Sequence, residues 1–206
     1  VIVNHTNKDL IPSGFLGVDI FFVLSGYVIT LSILRRKYRN FLDFLTGFYQ
    51  RRIKRLMPAL VFCIFLNSIF ICLFNYKPGT SLTTGLFSLF GLSNIFLINQ
   101  STNYFGESTE LNIFTNTWSL GVEAQFYFIY PLILYLTLFK REINFSQKSF
   151  KNLLFIIAVL SIISIILFLV FSKLNQPLSY FSLPTRFWEI GLGCIAAIIG
   201  KNKSND

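Results

Sequence analysis

Apolar residues run for membrane-crossing lengths at 17–34, 59–76, 118–139 and 153–172, with a shorter run at 186–200. About 20 apolar residues in a helix cross ~30 Å of hydrocarbon, so each run predicts a span. Residues 82–98 are apolar enough to insert but are broken by Gly85, Gly91, Ser93 and Asn94. Residues 41–57 carry a different rhythm. Phe41, Phe44, Leu45, Phe48 and Leu56 recur at helical spacing, while Arg51, Arg52, Lys54 and Arg55 gather toward the end. That pattern predicts an amphipathic helix lying at the inner membrane surface, with Pro58 at the turn into the next span. Residues 99–116, polar and rich in Asn, Ser and Thr, predict an outer loop.

Charge decides what 82–98 does. If it dips into the membrane and returns, the inner loops hold Arg35, Arg36, Lys37, Arg39, Arg51, Arg52, Lys54, Arg55, Lys140, Arg141, Lys148, Lys151, Lys201 and Lys203. That is 14 of the 18 basic residues, with Lys8, Lys77, Lys173 and Arg186 outside. If it crosses, the split becomes 10 against 8. Cytoplasmic loops concentrate Lys and Arg, so the first topology is expected. A re-entrant backbone is tolerated only where protein or a water-filled cavity covers it, so this hairpin should line the site. The expected fold class is all-α: a polytopic integral membrane helical bundle with one interfacial amphipathic helix and a re-entrant segment. Residues 1–206 read as a single, truncated membrane domain. The chain opens on Val1 without Met and ends on a polar tail, so it reads as a fragment beginning near the end of a first membrane helix.

Composition agrees with the pattern. The chain is 53% hydrophobic, 17% aromatic and only 13% charged, against about a quarter charged in soluble domains, which excludes a soluble protein. The net charge of +9 fits positive inner loops meeting anionic lipid; no basic-aromatic module argues for nucleic acid. Cys63, Cys72 and Cys194 lie in apolar stretches without metal-ligand or disulfide spacing and read as buried thiols. No metal site is expected.

The chemistry should therefore lie in the few polar groups at membrane depth. His5, the only histidine, falls near the outer end of the truncated first helix, and Asp19 near the outer start of the next span. Glu123 is about 8 Å below Trp118 at 1.5 Å per residue, and Arg186 and Glu189 share a helix face near the outer start of the last span. Near neutrality an imidazole suits general-base work, and Asp19 could fix its tautomer. Equally, His5 reads as one interfacial residue in the polar string 4–7, and Asp19 and Glu123 as helix-packing partners. Arg186 and Glu189 read mainly as neutralising each other. Trp118 and Trp188 read as aromatic-belt residues, and Ser25-Gly26 as close helix packing. The arginine cluster reads as a topology signal, or as a site for a phosphorylated ligand.

Four blocks together say more. Gly17-Val18-Asp19-Ile20-Phe21-Phe22-Val23-Leu24-Ser25-Gly26, the stretch from Phe48 to Pro58, Thr117-Trp118-Ser119-Leu120-Gly121-Val122-Glu123 through Tyr127, and Pro184-Thr185-Arg186-Phe187-Trp188-Glu189-Ile190-Gly191 occur in that order. In these the chain resembles the acyltransferase-3 family of membrane O-acyltransferases. The resemblance implies transfer of an acyl group, usually acetyl, from cytoplasmic acyl-CoA to a hydroxyl of an extracytoplasmic glycan. O-antigen, capsule, exopolysaccharide, peptidoglycan and lipid-linked sugars are the acceptors it implies, and a bacterial inner (cell) membrane the location. It makes His5, Asp19 and Glu123 the catalytic candidates and Arg51, Arg52 and Arg55 the acyl-CoA-binding ones, with no permanently bound cofactor. The block around Trp118 most resembles members with a fused C-terminal SGNH-type hydrolase domain. Two positions depart from the pattern: Asn116 stands where His often precedes Thr-Trp, and Ala124 where a second Glu is frequent. The competing class is a non-catalytic transporter or flippase subunit for lipid-linked saccharide. Such a protein should show paired broken helices in two halves, and no internal repeat is present in the sequence.

Overall fold

A computed structural model describes residues 16–36, 38–75, 78–102, 112–139 and 147–203. His5 lies outside these residues. Helix α1 spans Leu16–Leu34, α2 Phe41–Phe74, α3 Gly79–Leu89 and α4 Ser93–Thr102. A 3-10 turn at Thr115–Thr117 leads into α5, Trp118–Leu134, which a π-helical turn prolongs to Phe139. Then come α6, Gln147–Leu174, the short α7, Gln176–Phe181, and α8, Leu183–Lys203. Among the described residues there is no strand, and five segments are long and apolar enough to cross a membrane. The predicted all-α membrane bundle is what the chain forms. Its surface is inverted for lipid: Phe62, Phe65, Phe155 and Leu73 face outward, while Thr30, Asn94, Glu123 and Glu189 are buried. Cys194 is buried as expected, but Cys63 and Cys72 lie exposed on the outer face of α2.

Helix α2 departs from the expected break. Its N-terminus is capped by the Asn40 side chain, which accepts from the Asp43 N–H at 2.8 Å, while Asp43 accepts from the Arg39 N–H at 3.1 Å. It then runs through Pro58 without stopping for 34 residues, about 51 Å at 1.5 Å per residue. The amphipathic stretch 41–57 is the inner end of this rod, too long to fit within ~30 Å of hydrocarbon. A proline inside a helix forfeits one backbone hydrogen bond. Ending the helix at membrane depth would strand several where no water can replace them, so continuing through Pro58 is the cheaper course.

Segment 82–98 is a hairpin. Its helices α3 and α4 have 11 and 10 residues, roughly 15 Å each and half the hydrocarbon thickness. The turn between them is a Schellman closure: Leu92 N–H donates to Phe87 O at 2.9 Å and Gly91 N–H to Ser88 O at 3.1 Å. Gly91 takes φ +70°, and a Cβ there would lie 2.6 Å from the Ala124 Cβ, so only glycine suits both the turn and the seat against α5. Side chains satisfy what the hairpin leaves open. Asn112 Nδ2 donates to Thr84 Oγ1 at 2.6 Å and to Gln100 Oε1 at 3.0 Å, tying α3 to α4. Ser93 Oγ donates to Thr117 O at 2.9 Å, and Gln125 Nε2 to Asn94 Oδ1 at 2.8 Å.

Helix directions test the topology independently. Asp19 meets Arg186, and eight residues further into the membrane Cys194 Sγ donates to Gly26 O at 3.6 Å, so α1 and α8 are parallel. A Cβ at Gly26 would collide with the Ile190 carbonyl, which accounts for the small residue there. Trp118 packs on Phe22 and Tyr130 hydrogen-bonds Thr30, so α5 is parallel to them as well. Helix α2 opposes α5, since Phe41 meets Tyr135 and Phe48 meets Tyr127. Helix α6 opposes α8, where Ser164 Oγ accepts the Trp188 N–H and Ser161 faces Gly191. Three helices run one way and two the other, which requires the hairpin to return to its side of entry. In a full-length protein with its native cysteines replaced, Gly79→Cys and Thr102→Cys should both react with a membrane-impermeant thiol reagent from the outer side. Labelling of the two from opposite sides would mean that the segment crosses.

Candidate functional site

Two charged clusters stand out in the bundle. In the first, Arg186, in the first turn of α8, is 7% exposed and reaches two carboxylates. Its Nη1 donates to Asp19 Oδ1 at 3.2 Å and to Glu189 Oε1 at 2.6 Å, and its Nε donates to the Tyr180 carbonyl at 3.1 Å. The guanidinium also lies over the rings of Tyr180, Phe168 and Trp118, 5.0, 5.5 and 5.8 Å from their centroids. Glu189 is fully buried with Oε2 unpartnered, whereas the Asp19 side chain keeps 28% exposure. Two carboxyl groups thus share one guanidinium.

The expected Arg186–Glu189 neutralisation is present, and the structure adds Asp19 to it. The belt reading of Trp118 is corrected: its ring is 4% exposed and packed against Phe22, Tyr180 and Phe181 in the core. Trp188 is half-buried, with its indole nitrogen enclosed and unpartnered.

The second cluster lies on α2 and α5. Arg52 is 8% exposed, with its guanidinium 5.7 Å from the Phe48 centroid and 5.5 Å from that of Tyr127. Glu123 is 5% exposed and interacts with Tyr127, one turn along α5, and electrostatically with Arg52. Arg52 Nε and Glu123 Oε2 have no hydrogen-bond partner. Tyr49 Oη donates to the Tyr127 carbonyl at 3.1 Å, pinning α2 to α5.

Beside Arg52 and Tyr127 opens a cavity of about 370 Å³, walled by α2 from Tyr49 to Leu60, by Leu120 and Ala124 of α5, and by Ser88, Leu89, Phe90 and Gly91 of the hairpin tip. The re-entrant segment thus lines a cavity, as expected of a backbone that turns back within the membrane. The family's frequent second Glu would fall at Ala124, on this wall and against the hairpin tip.

Depth alone had placed Glu123 with Asp19, and the geometry separates them. Asp19 meets Arg186, whereas Glu123 interacts with Tyr127 and Arg52, and among the described residues no ion pair joins Glu123 to Arg186. Glu123 lies five residues beyond Trp118, about 7.5 Å along the axis and roughly 140° around the helix, which turns it from the Arg186 side toward α2. The three expected ligand-binding arginines also divide. Arg51 is half-buried, its Nη2 donating to Tyr38 Oη at 3.4 Å, Arg55 is exposed, and only Arg52 is enclosed. Sequence could have found this. Phe44, Phe48 and Arg52 fall at i, i+4 and i+8 on the one buried stripe of the inner half of α2, and Arg51 and Arg55 fall off it. The link from Arg186 to Asp19 joins residues 167 apart and leaves no local signal.

A helical bundle with three spans running one way and two the other, a charged cluster at the helix starts and an apolar cavity lined by a re-entrant hairpin defines a polytopic membrane protein that holds charged groups inside its bundle. The chain belongs to the acyltransferase-3 family, whose sequence profile, described as an acyltransferase domain, matches residues 2–206. It is 34% identical over 202 residues to O-acetyltransferase OatA of Staphylococcus aureus (strain NCTC 8325 / PS 47), covering 97% of this chain and 32% of that protein. It is 36% identical over 204 residues to the Bacillus subtilis (strain 168) protein named "Putative peptidoglycan O-acetyltransferase YrhL", covering 97% and 31%. The chain thus spans about a third of the length of these relatives. No solved structure matches it.

Arg186 makes the structural stakes of the first cluster measurable. Removing one partner of a buried ion pair costs about 3–5 kcal/mol, because the remaining charge stays buried. Arg186→Gln should therefore lower the thermal midpoint of the purified protein far more than Asp19→Asn, which removes only the more exposed carboxylate. Equal midpoints for the two variants would show that Arg186 does not hold the cluster.

Proposed function

We propose that this chain is the membrane part of an O-acyltransferase that moves an acyl group, acetyl by its relatives' names, from acyl-CoA on the cytoplasmic side to a hydroxyl of an extracytoplasmic glycan. Peptidoglycan is the acceptor that the YrhL name favours. What carries the reading is the enclosed Arg52, which lines an apolar cavity together with the hairpin tip and belongs to the cation cluster of Arg51, Lys54 and Arg55. Such a cavity suits the slender, mostly uncharged arm of coenzyme A, with the exposed Arg55 and half-buried Arg51 left to its phosphates. Arg forks match phosphate geometry.

In this scheme His5 is the base that takes the proton from the acceptor hydroxyl, and the thioester carbon receives the oxygen as the thiolate departs. Asp19 suits the task of orienting that imidazole, because the Arg186 pair uses Oδ1 and the carboxylate retains exposure. Direct transfer is the simplest form of the reaction consistent with these parts.

The test uses the full-length protein in a host lacking its gene, with ester-linked acetate released from purified cell-wall and surface glycans as the readout. Wild type should restore the acetate. His5→Ala, inserted to the same level, should lower it by roughly a hundredfold, the range of general-base contributions. Acetate restored in full by His5→Ala would remove the imidazole from the mechanism. Acetate unchanged by loss of the gene would remove the function.

A further inference from the structure

Arg52 and Glu123 pose a problem that the reading above does not solve. A guanidinium and a carboxylate, both more than nine-tenths buried, are close enough to interact electrostatically, yet no ion pair closes between them. Each keeps one enclosed atom without a partner, Arg52 Nε and Glu123 Oε2. Buried charges left incompletely satisfied are expensive, and a polar ligand seated between them would recover that cost. The rings of Phe48 and Tyr127 beside the Arg52 guanidinium limit its freedom to swing toward Glu123.

The two free atoms state what such a ligand must be. Arg52 Nε carries an N–H and needs an acceptor, while Glu123 Oε2 needs a donor. A phosphate would satisfy the first and be repelled by the second, and an alkyl chain would satisfy neither. A trans secondary amide presents a carbonyl on one side and an N–H on the other, so one group answers both. The apolar walls formed by Ile53, Leu56, Met57 and Leu120 suit the alkyl links flanking such an amide.

We infer that Arg52 and Glu123 form a receptor for a secondary amide of the substrate, Arg52 Nε donating to its carbonyl and Glu123 Oε2 accepting its N–H. The inference rests on the acyltransferase reading and deepens it, because the arm of coenzyme A carries two such amides in series. An N-acetylated sugar of the acceptor carries the same group. The position of Arg52 on the helix that bears the inner cations favours the donor arm. Glu123 is then a substrate-binding residue on the donor side and not a partner of Asp19.

The experiment measures turnover by the full-length protein in detergent with acetyl-CoA and with two analogues, each having one arm amide replaced by an ester, which keeps the carbonyl and removes the N–H. Wild type should lose about tenfold in kcat/KM on one analogue, the scale of a hydrogen bond to a charged group. Glu123→Leu should treat that analogue and acetyl-CoA alike, and Glu123→Gln, which keeps a neutral acceptor, should discriminate partway. Should the Leu variant fail to fold, the Gln variant alone carries the readout.

A parallel arm compares N-acetylated with de-N-acetylated glycan acceptors. If the variant-dependent discrimination appears there instead, the amide is the acceptor's. Discrimination by the variants equal to that of wild type, or none by wild type on either arm, overturns the receptor. A wild-type protein that turns over acetyl-CoA normally while showing none of these patterns refutes this inference and leaves the function standing. A wild type that turns over no acyl-CoA refutes the function, and the receptor with it.

Discussion

Inside hydrocarbon a polar group has no water to fall back on, and that constraint governs most of this structure. It holds α2 helical through Pro58, where ending the helix would strand several backbone groups in place of one. It shapes the hairpin as well. A chain that turns back at half depth exposes backbone and side-chain polar groups, and here Asn112, Ser93, Asn94 and Gln125 tie those groups to α5 and to one another. The same constraint brings Arg186 between two carboxylates and over three aromatic rings. In each case the polar group is satisfied by protein because nothing else is available.

Against that background the exceptions carry information. Arg52 Nε, Glu123 Oε2, Glu189 Oε2 and Trp188 Nε1 are enclosed and unpartnered, although the surrounding structure satisfies weaker groups with care. Arg52 lines the apolar cavity that the re-entrant hairpin helps to close, and Glu123 directly precedes Ala124 of its wall. Glu189 belongs to the Arg186 cluster, and Trp188 is its neighbour on α8. The charged groups left unsatisfied therefore fall in the two charged clusters, and not at the helix contacts that only hold the bundle together, such as Gly26 against Ile190.

Much of the fold was legible in the sequence because a membrane reduces the problem to lengths and charges. Five apolar runs gave the five spans, and the distribution of Lys and Arg gave the re-entrant hairpin that the parallel α1–α8 pair requires. Pro58 was misread because local proline chemistry, which argues for a helix boundary, is overridden by the cost of ending a helix in lipid. Trp118 was misread because an aromatic ring at a helix start suits a membrane interface as well as a core. Only long-range packing against Phe22 and Phe181 distinguishes the two. The site was half legible. The residue types and their depth could be read, but depth is one coordinate, and the angle around α5 that turns Glu123 away from Asp19 needed the partners on α2.

The hairpin joins the two clusters physically. Its tip, Ser88 to Gly91, closes one end of the cavity and sits on Ala124, directly after Glu123. The adjoining Asn94 is held by Gln125 and donates to the Phe181 carbonyl at 3.0 Å. Tyr180, the neighbour of Phe181, gives its own carbonyl to Arg186. A continuous run of hydrogen bonds and chain thus leads from the cavity wall through α4 to α7 and into the Arg186 cluster. An enzyme that accepts a donor on one face of a membrane and an acceptor on the other must fix the distance between two sites that share no helix turn. The hairpin meets this need without a sixth crossing helix, because its tip closes the cavity while Asn94, at the start of its second helix, is tied through Phe181 toward the Arg186 cluster.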